Sequence, residues 1–96
     1  MEEEKKIARW HIFFEGDVQA VGFRYTSMIY AKQLGLTGWV QNLYDERVEM
    51  EVQGPVSKIR QLLLHLKSHP PIYITDYQIQ EIALKPNESN FRITGY

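Results

Sequence analysis

Ninety-six residues suffice for one domain and leave no room for a second. A net charge of −1 and a pI of about 6.3 exclude a global basic field for nucleic acid or anionic membranes. The absence of cysteine excludes disulfides, thiolate metal sites and cysteine-based phosphatase chemistry. The charged start, MEEEKKIARW, lacks the apolar run of a signal peptide, and no apolar segment reaches membrane-spanning length. A cytoplasmic protein is therefore expected, engaging neither nucleic acid nor membrane.

Residues 1–6 read as a solvated tail and residues 7–96 as a single domain. From Ile7 to Glu15 the chain alternates: Ala8, Trp10, Ile12 and Phe14 on one face, Arg9, His11, Phe13 and Glu15 on the other, predicting a half-buried strand. A loop, GDVQAVG, follows. Phe23, Ser27, Tyr30 or Ala31, and Leu34 recur at helical spacing, and Gly35 stands where a helix stops. Residues 36–43 predict a second strand. Val48, Met50 and Val52 alternate with Glu49, Glu51 and Gln53 to predict a third with one wet face. Gly54-Pro55 predicts a cap with proline at the first helical position, and Val56, Ile59, Leu62, Leu63 and Leu66 form the stripe of a second helix that ends before Pro70-Pro71. Tyr77 and Ile79 open a fourth strand with a bulge at Glu81-Ile82, and Phe91 and Ile93 mark a short last one.

This order, βαββαβ plus a short C-terminal strand, predicts an α+β, ferredoxin-like split-βαβ sandwich. Right-handed crossovers place both helices on one face of an antiparallel sheet. The fold serves many tasks, so function must come from a site.

The stretch GDVQAVGFR, residues 16–24, is the first candidate. Backbone N–H groups at a strand-to-helix junction lack intrahelical partners, and the helix dipole favours an anion there. Gly16 and Gly22 let such groups converge, and Arg24 offers a planar fork for two phosphate oxygens. From loop and arginine alone, an ordinary strand-to-helix turn with a solvated arginine is the favoured reading. The lysine and hydroxyl of a nucleotide P-loop are missing.

GDVQAVGFR resembles the signature loop of the acylphosphatase family, which usually has glycine in place of Ala20. GWVQN, residues 38–42, resembles the family's second signature, and VEMEVQGP, residues 48–55, is also similar. The motifs fall in the family's order and separation, and the resemblance runs from Ile7 to Tyr96. It implies hydrolysis of acyl phosphates to a carboxylate and inorganic phosphate, without metal or organic cofactor. It places the catalytic arginine on Arg24 and the catalytic asparagine on Asn42. The phosphate-binding loop then comprises Gly16, Asp17, Val18, Gln19, Ala20, Val21, Gly22 and Phe23. A small acyl phosphate is the expected partner, inorganic phosphate the product and a competitive inhibitor, and the enzyme a monomer.

An acyl phosphate has a stable carboxylate leaving group, so the protein needs only to stabilise charge and align a nucleophile. Arg24 and the loop would hold the equatorial oxygens, and the neutral amide of Asn42 would orient the attacking water. No side chain near either motif stands out as a general base. Asp17 is expected to point outward, with the water's proton passing to a phosphate oxygen. Two positions depart from the family pattern: Ala20, and Glu46 where a turn glycine is usual. Alanine at negative φ costs nothing, so Ala20 is expected there, with Gly16 and Gly22 carrying the unusual angles.

The remaining candidates read as structural. His65 and His69 are four apart but lack a third ligand. Trp10, Phe13 and Phe14 lack the RNA-recognition signature, Trp39 reads as packing, and one leucine of Leu62-Leu63-Leu64 must be exposed. The alternative functions are a non-catalytic anion-binding or interaction domain on the same fold, with Ala20 a sign of decay, and the accessory acylphosphatase-like domain of larger carbamoyl-phosphate-handling proteins. The short chain is expected to argue against the latter.

Overall fold

A computed structural model describes residues 5–95; residues 1–4 of the expected tail, and Tyr96, lie outside the described residues. The elements are β1 (Ile7–Asp17), α1 (Phe23–Gln33), β2 (Thr37–Asn42), β3 (Val48–Pro55), α2 (Val56–Lys67), β4 (Tyr73–Ile82) and β5 (Phe91–Ile93). They form one five-stranded sheet in the order β4-β1-β3-β2-β5.

Alternation in the central strands separates two faces. Ile12 and Phe14 of β1, Val40 of β2, and Val48, Met50 and Val52 of β3 are buried in one cluster with Phe23 and Ala31 of α1 and Ile59, Leu62, Leu63 and Leu66 of α2. Both helices thus cover the same sheet face. Trp10 is only partly buried and packs at the margin of this core. Helix α1 ends as its sequence predicts. Gly35 turns left-handed at φ 72°, Leu36 N–H donates to Ala31 O at 2.9 Å and Gly35 N–H to Lys32 O at 3.1 Å. These two bonds satisfy carbonyls the last turn would leave open.

Four expectations are corrected. The sheet is mixed: β5 pairs in parallel with β2, through Gly38↔Phe91 and Val40↔Ile93. The chain leaves β4 at one edge, crosses the helix-free face and returns at the other edge, which gives β5 the direction of β2. Strand β3 runs through Gly54-Pro55, and Pro55 caps α2 rather than opening its first turn. Gly16 and Asp17 belong to β1, opposite Ile74 and Tyr73 of β4. The bulge lies between Glu15 and Gly16, not at Glu81-Ile82.

The face expected to be wet carries a buried arginine. Arg9 is fully buried: Nε donates to Glu51 at 2.8 Å, Nη1 to Glu88 at 2.7 Å and to Gln53 at 3.3 Å. Glu88 arrives from the β4–β5 connection, whose Lys85 also exchanges hydrogen bonds with Gln53 at 2.8 and 3.0 Å. Burial opposes charge on both Arg9 and Glu88. Their hydrogen bonds and opposite charges, together with Glu51 on Arg9 and Thr37 and Lys85 on Glu88, outweigh it, lowering the Glu88 carboxyl below its ordinary range and raising Arg9 further.

Candidate active site

The junction of β1 and α1 meets the end of β2 in a cleft of about 210 Å³, lined by Val18, Ala20, Gly22, Phe23, Arg24, Tyr25, Asn42 and Ile93. Buried Val18 and Phe23 anchor the junction to the core. Tyr25 and Ile93 are exposed.

Helix α1 presents its N-terminus here. Gly22 is the N-cap at φ 78°, no side chain among the described residues caps the helix, and the first turn has no acidic residue. An added Cβ at Gly22 would meet nothing nearer than Thr26 Oγ1 at 3.9 Å, so glycine is needed there for its backbone angle rather than for space. The uncapped N–H groups, the helix dipole and Arg24 in the first turn make this end of the cleft electropositive.

Asn42 lines the same cleft. It is the last residue of β2, paired with Val48 of β3. Its Oδ1 is buried and accepts no hydrogen bond from the described residues. A buried carbonyl oxygen left unpaired costs about 1–3 kcal/mol, so an acceptor without a partner is held on a residue that lines the cleft.

Of the expected loop residues, Val18, Ala20, Gly22 and Phe23 line the cleft with Arg24 and Asn42. Gly16 and Asp17 sit in the sheet, and Asp17 is exposed and off the cleft. Val21 packs against the core. Gln19 turns its side chain away, donating from Nε2 to Leu43 O at 2.7 Å and Arg47 O at 2.9 Å. Ala20 does not have the expected negative φ: it is left-handed, at φ 59°. The family glycine therefore marks a backbone angle that alanine also adopts here, at a cost of about 1–2 kcal/mol. The same holds for Glu46 in the β2–β3 turn, at φ 74°.

Sequence reasoning missed Tyr25 and Ile93. Tyr25 was within reach, because it shares the first helical turn with Arg24. Ile93 had no local signal, since only the pairing of β5 with β2 brings it to the cleft.

The other candidates sit elsewhere. His65 stacks on Tyr30, with centroids 4.4 Å apart and planes 4° apart, and His69 meets the same ring edge-on at 5.9 Å. Phe13 lies on the helix-free face beneath the Arg47 guanidinium at 4.5 Å, whereas Phe14 is in the core, so Trp10, Phe13 and Phe14 form no common platform. Leu64 is the exposed leucine, and Trp39 lies 6.5 Å from the His11 ring in an edge contact.

A family model described as Acylphosphatase matches residues 10–93. The acylphosphatase of Trichormus variabilis is 38% identical over 85 residues, covering 88% of this chain and 80% of that protein. The crystal structure of acylphosphatase from Bacillus subtilis superposes with a TM-score of 0.84 at 31% identity, over 94% of this chain and all of that one. HypF of T. kodakarensis is similar over 95% of this chain but only 12% of its own, with a TM-score of 0.78 at 31% identity. The chain belongs to the acylphosphatase family. Its reaction is hydrolysis of acyl phosphates, and its substrate a small acyl phosphate.

Proposed function

We propose that Arg24 and the backbone N–H groups around residues 18–23 hold the phosphoryl oxygens, while Asn42 positions the attacking water. The unpartnered, buried Oδ1 of Asn42, on a residue that lines the same cleft as the first turn of α1, is the observation that supports this reading most strongly. The water donates one hydrogen to Oδ1, which aligns its lone pair with phosphorus. The new P–O bond forms as the bond to the carboxylate oxygen breaks, and that electron pair leaves with the carboxylate. The water's proton passes to a phosphate oxygen, so no side-chain base is required. Arg24 and the loop stabilise charge on the equatorial oxygens throughout.

The same reading makes the enzyme metal-independent, because the charge a metal would offset is met by Arg24 and the helix start. It acts as a monomer in the cytoplasm, without nucleic acid or membrane. Inorganic phosphate, as product, competes with substrate.

Hydrolysis of benzoyl phosphate tests these roles. Arg24→Ala weakens phosphate inhibition and lowers kcat, because the guanidinium acts on ground and transition states alike. Asn42→Ala lowers kcat by about 10²-fold with little change in phosphate affinity, the loss expected for one preorganised group. A raised KM at unchanged kcat for Asn42→Ala removes the water-positioning role. Activity survives exhaustive chelation; loss with EDTA and recovery with one divalent ion overturns the metal-free reading.

A further inference from the structure

We infer that Gln19 is a positioning residue for this reaction, its side-chain amide fastening the phosphate loop to the hairpin that carries Asn42. The inference rests on the roles just proposed for Arg24 and Asn42. A primary amide has two donors, and Gln19 directs its Nε2 at two carbonyls, Leu43 O at 2.7 Å and Arg47 O at 2.9 Å. Leu43 and Arg47 form the neck of the β2–β3 hairpin, where Leu43 N–H donates to Arg47 O at 2.9 Å. Leu43 follows Asn42 directly.

The neck is itself held. Arg47 Nε pairs with Asp45 at 2.8 Å, and its guanidinium lies 4.5 Å above the Phe13 ring on β1. On the loop side, Gln19 immediately precedes Ala20, whose left-handed backbone at φ 59° is sparsely populated for alanine. Such a conformation persists only where its surroundings over-determine it, and the two bonds from Gln19 are a constraint one residue away. The loop sets the position of phosphorus and Asn42 the position of the water. Gln19 fixes one against the other.

The chemistry selects glutamine. Glutamate has the same shape but would turn two acceptor oxygens toward two carbonyls. Asparagine is one methylene short. Because in-line attack depends on alignment, losing the tether lowers kcat more than phosphate affinity.

Gln19→Ala, Gln19→Glu and Gln19→Asn, each alone and combined with Asn42→Ala, test this with benzoyl phosphate as substrate and inorganic phosphate as inhibitor. The expected kcat loss is about 10- to 100-fold for Gln19→Ala and at least as large for Gln19→Glu, with the phosphate inhibition constant changed less than about threefold. In the Asn42→Ala background the same substitutions change kcat less than about threefold, because there is no longer a held water to misalign. Amide NMR spectra stay folded, with shifts confined to residues 18–22 and 42–47. Wild-type kcat in Gln19→Glu, an equal loss in both backgrounds, or a loss that follows the unfolded fraction overturns the tether. Should Gln19→Ala fail to fold, the Glu and Asn variants decide it by the same criteria. Dependence on Asn42 without dependence on Gln19 refutes the tether alone. Full kcat in Asn42→Ala refutes the water-positioning role, and the tether with it.

Discussion

Ala20 carries a left-handed backbone with a methyl group on it, at φ 59°. Glycine would adopt that angle freely, so Ala20→Gly relieves about 1–2 kcal/mol of strain. The added freedom of the unfolded chain takes back about 0.4–1 kcal/mol. The expected outcome is a net stabilisation of roughly 1 kcal/mol or less, read as a higher denaturant midpoint. The loop already has the required angle, so kcat/KM stays within about threefold of wild type. Ala20→Val adds a second branch at positive φ and should lower both stability and activity. The identities of Arg24 and Asn42 as candidates were legible in the sequence because the loop and GWVQN stand in a recognisable order. The angle at residue 20 was not. Alanine is compatible with negative φ, and only the path between β1 and α1 decides otherwise.

Among the elements, β1 shows most clearly what periodicity can and cannot reveal. Its alternation, read from Ile7 to Glu15, places Ile12 and Phe14 in the core as observed. It did not show that the strand continues through Gly16 and Asp17, because a glycine before an acidic residue looks like a turn. Gly16 is there for close approach. An added Cβ would overlap the backbone of β4 at Tyr73 O, with Thr75 N 2.8 Å away, and φ is 126°. Gly16→Ala must therefore push β4 outward at the bulge that aims the chain into the loop. We expect a loss of about 3 kcal/mol from overpacking and backbone strain, measured by urea unfolding. Activity should fall in the fraction that remains folded, because the displaced bulge feeds into the cradle. An unchanged midpoint would mean β4 yields at no cost.

At the level of the whole molecule, the order of elements was legible and the direction of the last strand was not. Sequence places Phe91 and Ile93 in a strand but carries no mark of which edge receives it. The same long-range route explains Arg9. Local alternation puts it on a wet face, and Glu88, from the connection crossing that face, covers it. The pair also sets a pH dependence. The Glu88 carboxyl is held below its ordinary value of 4.5 by its bonds to Arg9 and Thr37, against the opposing effect of burial. A group with a lowered folded pKa stabilises the protein above its unfolded pKa. That contribution is lost as pH falls through the folded value. Stability should therefore decline below pH 4.5 as Glu88 takes up a proton. Glu88→Gln should cost about 2–3 kcal/mol near neutral pH by leaving Arg9 short of a partner. The variant should also lose less stability than wild type between pH 7 and the acid limb, because one titrating group is gone. Chemical denaturation across pH checks both, and a variant with an unaltered acid limb would remove Glu88 from the account.

The parallel pairing of β5 with β2 bears on the order in which the molecule comes together. Arg24 and Asn42 lie close in the chain, and β1, α1, β2 and β3 bring them to one place. Ile93 reaches the same cleft from more than half a chain length away, through a strand of three residues whose Phe91 is buried in the core. Closing so long a loop costs entropy before its few contacts repay it, so β5 is expected to dock late on the way to the native state. The residues proposed for chemistry therefore meet before their surroundings are complete. On that order a half-formed molecule would already have the charged end of the cleft, and the last short strand would add Ile93 to its wall.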